Sequence, residues 1–149
     1  MTPMWKKLNL KDQTEIVVLN APESFEAEIA ALGELAVLRD LKKSTTFLLA
    51  FVMKQADLDR IAKQAATKTE GDATIWFAYP KKSSKRYACE FHRDAGWHLL
   101  GSLGFEGVRM VAIDEDWSAL RFRRVEFIKA MKRNATRAQT AEGKKRTQK

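Results

Sequence analysis

Four short polar stretches hold the residues whose types could do chemistry: Asn20-Ala21-Pro22, Lys54, Lys81-Lys82-Ser83-Ser84, and Asp114 to Ser118. In Lys81 to Ser84, two ammonium groups, two hydroxyls and the loop amides could hold a phosphate or a carboxylate. Asp114 could orient one lysine or a ligand hydroxyl, and Trp117 could supply an apolar wall. The candidate ligand-binding set is therefore Asn20, Lys81, Lys82, Ser83, Ser84, Asp114, Trp117 and Ser118. Its bland alternative is a solvated loop at Lys81 to Arg86, with Asp114 and Ser118 capping a turn.

Other residue types say less. Cys89 and His92 could be pictured as nucleophile and base or as two metal ligands, but one cysteine and two histidines close no ligand set without carboxylates. No metal site is expected. His98, beside Trp97, reads as a residue at the edge of the core, and Trp5, Trp76, Trp97 and Trp117 read as core packing. No G-x-G-x-x-G follows the first apolar run, where Asn20-Ala21-Pro22-Glu23-Ser24 stands instead, and no G-x-x-x-x-G-K-[ST] occurs. Dinucleotide and P-loop binding are disfavoured, and no cofactor is implied.

The elements that must position these loops alternate along the chain. Glu15 to Leu19 is a β-branched run that breaks at Asn20-Ala21-Pro22, which predicts a buried strand. Phe25, Ile29 and Leu32 then fall on one helical stripe that Gly33 stops. Ala36 to Leu38 predicts a short strand, and the apolar run Thr45 to Met53 a central one with both faces covered. Ala56 to Ala66 is amphipathic, with Leu58, Ile61, Ala62 and Ala65 on one side, and Glu70-Gly71-Asp72 predicts a turn. Ala73 to Tyr79 is the next strand, ended by Pro80. Asp94 to Leu103 predicts a helix, Val108 to Ile113 a strand, and Trp117 to Val125 an edge strand antiparallel to its predecessor. Glu126 to about Arg133 could add a terminal helix. The alternation predicts an α/β three-layer Rossmann-like sandwich with a mostly parallel sheet and an antiparallel edge strand. In such a sheet the polar stretches above follow strands and converge at their carboxyl ends, where open α/β folds bind ligands.

Charge divides the chain in two. Residues 129–149 hold eight basic residues against Glu142 alone, or +7 of the formal +8, and residues 1–128 hold 19 basic against 18 acidic, or +1. The expected organisation is a single α/β domain over 1–128 and a basic, disordered tail over 129–149, with Lys144, Lys145 and Arg146 as candidate anion contacts. The tail is either a solubilising extension or an arm for weak, sequence-blind nucleic-acid binding that salt would abolish. The longest apolar run, Phe47 to Met53, is far short of the roughly 18–20 residues a membrane span needs. The start carries no secretory pattern, and the lone Cys89 agrees with a reducing compartment. A cytoplasmic protein without a membrane role is expected.

Two resemblances add to this reading. The stretch Ile75 to Ser84, then Arg93-Asp94, then Ala112 to Phe122, with Leu19 to Pro22 and Phe51-Val52 upstream, resembles the bacterial domain-of-unknown-function family numbered 3052, over residues 4–124. That resemblance implies a bacterial α/β domain and supplies no catalytic residues. The order helix, Glu70-Gly71-Asp72, apolar strand, Pro80-Lys81 also looks like the later half of a methyltransferase-type Rossmann domain, without the glycine-rich loop that would cradle its cofactor. The missing motifs point to a non-enzymatic binding or regulatory module engaging a protein partner. The alternative is a binder or enzyme of a small anionic ligand at the strand ends.

Overall fold

The computed structural model describes residues 2–91 and 95–128. Expectations placed on His92, Arg93 and Asp94, and on residues 129–149 including Lys144, Lys145 and Arg146, lie outside the described residues.

The elements run α1 (Pro3–Lys7), β1 (Glu15–Leu19), α2 (Glu26–Ala30) after a 3-10 turn at Glu23–Phe25, β2 (Ala36–Leu38) and β3 (Thr45–Phe51). They continue with α3 (Gln55–Lys68), β4 (Thr69–Pro80), α4 (His98–Ser102), β5 (Phe105–Ala112) and β6 (Trp117–Arg124), closed by a 3-10 turn at Val125–Phe127. The six strands form one sheet in the order β2-β1-β3-β4-β6-β5. β2, β1, β3 and β4 are mutually parallel, whereas β6 is antiparallel to both β4 and β5. This is the expected three-layer α/β sandwich. One detail is corrected: the antiparallel strand β6 is interior, and the edge is β5, which runs in the same direction as β2, β1, β3 and β4. Of the basic residues of β6, which suggested an exposed edge, Arg123 reaches a surface carboxylate and Arg124 backbone acceptors, while Phe122 and Ala119 stay buried.

Apolar alternation divides the core between the two faces. One face packs Val17, Leu48, Phe77 and Phe122 under Leu58, Ile61, Ala62 and Ala65 of α3 and Leu100 of α4. The other packs Ile16, Leu49, Trp76 and Trp117 under Trp5 of α1, Ile29 of α2 and Phe25 in the turn before it. Successive strand residues point to opposite faces, so the near-continuous apolar runs of β1, β3 and β4 are those of strands covered on both sides. The four tryptophans are all core residues, at most 2% exposed. Trp5 Nε1 donates to Glu28 O (2.8 Å) and Trp76 Nε1 to Leu8 O (2.7 Å), so the N-terminal segment is hydrogen-bonded to the layer it covers.

The structure also differs from the sequence reading in local details, among them the helix expected over Asp94 to Leu103, whose described part is helical only over His98–Ser102. The stripe at Phe25, Ile29 and Leu32 becomes a 3-10 turn followed by only five α-helical residues. Glu70-Gly71-Asp72 does not separate helix from strand: α3 passes directly into β4, and these residues form an irregularity inside that strand, with Thr45 opposite Thr69 but Phe47 opposite Thr74. Gly71, at φ +60°, takes the left-handed conformation this detour requires. The N-terminal helix α1, begun by Pro3, was not foreseen, because a five-residue helix shows too little periodicity to register. Among the described residues no helix is long and apolar enough to cross a membrane.

Candidate functional site

The chain leaves β1 toward β2 on one side and places β3 on the other, so the strand order reverses between β1 and β3. Such a switch point opens a crevice beyond the strands' carboxyl ends. Asn20 to Pro22 follow β1, Val52 to Lys54 follow β3, and Lys81 follows β4. Because Pro80 pairs with Trp117 and Tyr79 with Ser118, the turn from Asp114 to Asp116 lies at the same end.

The two loops singled out in the sequence therefore meet. Lys81 N donates to Asp116 O (2.8 Å), and Ser84 Oγ donates to Asp116 Oδ1 (2.9 Å). Ser84 Oγ in turn accepts from the amides of Arg86 (3.3 Å) and Tyr87 (3.1 Å), which turns the chain so that the Tyr87 ring rests on Trp117. Asp114 Oδ1 accepts from the amides of Asp116 and Trp117, both at 2.8 Å. Ser84 and Asp114 thus hold the loops in shape, and Asp116, which the sequence reading treated only as part of an acidic turn, is the staple between them. Lys82 and Ser83 are exposed and Lys81 is half-buried, and among the described residues none of the three spends its side chain on an internal hydrogen bond.

Strand alternation splits the rest of the candidate set. Trp117 points to the α1–α2 face, and Ser118, its neighbour on β6, points to the opposite face beside Tyr79. Asn20 is exposed at φ +57°, making the tight turn after β1 that glycine commonly makes. On the α1–α2 face a row of rings crosses under the crevice: Phe25 to Phe51 (5.1 Å between centroids), Phe51 to Trp117 (5.1 Å) and Trp117 to Tyr87 (5.0 Å). Phe25, Phe51 and Tyr87 were missed because isolated aromatics in apolar runs carry no site signal. Within this row Trp117 is 2% exposed, and its Nε1 is buried without a hydrogen-bond partner among the described residues. A buried donor left unpaired costs on the order of 1–3 kcal/mol, so such a group calls for an acceptor.

On the α3 face the segment after Arg86 folds back over the end of β3. Glu90 N donates to Met53 O (3.0 Å), and Glu90 Oε1 accepts from Gln55 N (2.8 Å) at the start of α3. Cys89 is half-buried in this segment, and burial raises its thiol pKa above the ordinary value. The thiol therefore stays protonated at neutral pH, which argues against a thiolate nucleophile. Iodoacetamide is expected to alkylate Cys89 at pH 7 several-fold more slowly than free cysteine, catching up only as pH rises; equal rates at pH 7 would show the thiol to be unshielded. Among the described residues no group of three or more His, Cys, Asp or Glu could hold a metal ion.

Comparison with solved structures places this architecture. The ribosomal protein L11 methylase from Lactobacillus delbrueckii subsp. bulgaricus superposes with a TM-score of 0.51 and 11% identity, covering 81% of this chain and 76% of that one. A SAM-dependent methyltransferase from Aquifex aeolicus gives 0.50 and 12%, covering 81% and 87%. The fold is that of Rossmann-like methyltransferases. No protein-family model matches the chain, and no curated protein matches it in sequence. The expectation of a non-enzymatic binding or regulatory module is corrected by these neighbours: it rested on missing motifs, whereas the fold is one that methyltransferases share.

The cofactor such a fold implies, S-adenosylmethionine, does not fit the residues present. A cofactor cradle needs a loop that lets the backbone approach closely and offers amides. Here the loop after β1 has no glycine, Pro22 has no N–H, and Glu23, Glu26 and Glu28 put carboxylates around the short helix that follows. At the end of β2, Arg39 is held to Glu26 by two hydrogen bonds (2.7 and 2.9 Å), which keep the Glu26 carboxyl below its usual pKa. Asp40 follows, exposed and 3.6 Å from Lys42, so an acidic group persists beyond β2 while the cradle does not.

Proposed function

We propose that the protein is a methyltransferase-like small-ligand binder or enzyme, working at the carboxyl ends of β1, β3 and β4 without an S-adenosylmethionine cradle. The observation that carries this reading is the buried, unpartnered Nε1 of Trp117 within the aromatic row at that end of the sheet. A bound ligand would supply its acceptor. Lys81, Lys82 and Ser83, whose side chains are otherwise unengaged, suit a phosphate or carboxylate on the same ligand. The ligand class is therefore a small anion with an apolar or flat portion to lie against Phe51 and Trp117. A cytoplasmic location accords with such a metabolite.

The test is a thermal-shift screen of nucleotides, phosphosugars, carboxylates and S-adenosylmethionine. A ligand at about 100 times its Kd adds about 2.7 kcal/mol of stability, which moves the melting temperature by several degrees. At least one anionic ligand is expected to do so with wild type. Its shift should disappear in Trp117→Phe, which keeps a ring but removes the donor, and shrink in Lys82→Ala. S-adenosylmethionine is expected to give none. A screen without any shift, or a ligand whose shift survives Trp117→Phe unchanged, would refute the assignment.

A further inference from the structure

Away from the crevice, the α1–α2 face of the sheet is covered over β1, β3 and β4 but carries three arginines over β5 and β6. Arg121 and Arg123 are alternate residues of β6 and share a face, and Arg109 on β5 is the cross-strand neighbour of Arg121. Strand geometry puts Arg109 and Arg121 about 5 Å apart at the backbone and Arg121 and Arg123 about 7 Å apart. Their side chains act on one another electrostatically: burial, Arg123 and Arg109 each push the Arg121 pKa down, and only Asp72 opposes them. Asp72 is already committed, accepting from Arg123 Nε (2.9 Å) and Nη2 (2.7 Å). Glu106, opposite Arg123, is fully buried. Among the described residues neither Arg109 nor Arg121 forms an ion pair, and Arg121 Nε is buried without a hydrogen-bond partner.

Like charges gathered on a nearly neutral domain disfavour one another and are relieved by an anion. Two further features say which anion. Arg123 Nη2 also donates to Phe127 O (3.0 Å), and Phe127 is a large aromatic residue left 38% exposed, beside the cationic row. The chain then continues from Ile128 into residues 129–149, which carry +7. A row of guanidinium groups with an exposed ring at its end is the combination that binds single strands, the charges following phosphates and the ring stacking on a base.

We propose that Arg109, Arg121 and Arg123, with Phe127, form a binding surface for single-stranded nucleic acid on the α1–α2 side of β5 and β6. The surface is separate from the crevice, so either assignment can fail alone.

Fluorescence anisotropy of the full chain with a labelled 20-nucleotide single strand, titrated over a series of salt concentrations, tests this. The Arg109→Gln/Arg121→Gln double variant is expected to bind about 10-fold or more weakly and to lose about 1.4 from the slope of log affinity against log salt, two phosphate contacts' worth. Phe127→Ala should weaken binding about 5-fold or more and leave that slope alone, because stacking releases no counterions. A control variant, Lys144→Gln/Lys145→Gln/Arg146→Gln, should retain the arginine-dependent share of the slope. Arg109→Gln alone, at an exposed position, guards against a folding defect and should lose about half as much slope. Wild-type affinity and slope in both arginine variants, with all salt dependence lost in the control, would overturn the proposal in favour of the basic C-terminal segment alone. Displacement by inorganic phosphate as effective, per phosphate, as by unlabelled strand would overturn the polymer assignment, and duplex bound as tightly as single strand would overturn the stacking role of Phe127.

Discussion

Trp76→Ala is expected to destabilise the protein by about 3–5 kcal/mol, the range for removing a large buried aromatic side chain. Trp76 is fully buried at the centre of the sheet, with Leu49 and Arg121 as its cross-strand neighbours. Its Nε1–H bond to Leu8 O fastens the N-terminal segment over the α1–α2 face, so the substitution leaves both a cavity and an unpaired carbonyl. Trp76→Phe keeps most of the ring and loses the hydrogen bond; about 1–2 kcal/mol is expected for it. Urea unfolding checks both, read as a fall in midpoint at constant m-value. A loss under 1 kcal/mol for the alanine variant would mean that the N-terminal segment is not part of the cooperative core.

Arg124→Met is expected to cost about 2–3 kcal/mol, although residue 124 lies only partly below the surface. The Arg124 guanidinium donates to Gly71 O (3.0 Å), Ala66 O (3.3 Å), Thr69 O (2.7 Å) and Thr69 Oγ1 (3.1 Å), and lies 5.0 Å from the centroid of Phe105. One planar fork thereby satisfies backbone groups exposed where α3 runs straight into the irregular start of β4. Methionine keeps the apolar stem against Phe105 but leaves the carbonyls without their donor. Arg124→Lys should recover less than half of the loss, because a single ammonium cannot reach three separated carbonyls in one geometry. Full recovery by lysine would assign the effect to charge rather than to the fork. Hydrogen exchange should rise first at Gly71 to Ala73 in either variant.

The positions of these residues mark where sequence reading succeeds. Glu15–Leu19 and the amphipathic helix around Leu58, Ile61, Ala62 and Ala65 were legible because their patterns are local: a strand buried on both faces must be apolar throughout, and a helix on a sheet must be apolar on one stripe. The convergence of the Lys81–Ser84 loop with the Asp114–Ser118 turn was legible too, given only the rule that parallel strands end together. Arg124 was not. Its sequence neighbourhood, basic and apolar residues in alternation, looks like an edge strand, and its acceptors lie more than 50 residues away. The same holds for Trp117: nothing in Asp116-Trp117-Ser118 tells which face the indole takes or whether its N–H finds an acceptor.

By itself, then, the chain determined a mostly parallel α/β sheet, the concentration of its formal charge in residues 129–149, and the absence of a glycine-rich cradle, since composition and periodicity are properties of segments. Only the tertiary structure decided that β6 lies inside β5, that Ser84 and Asp114 hydrogen-bond within and between the loops, and that Trp117 and Ser118 face opposite ways. It also gathered Arg109, Arg121 and Arg123 on one face. The physical reason is common to all four: register and strand order bring together groups from distant segments, and hydrogen-bond satisfaction and charge are properties of that gathering, not of any stretch of sequence.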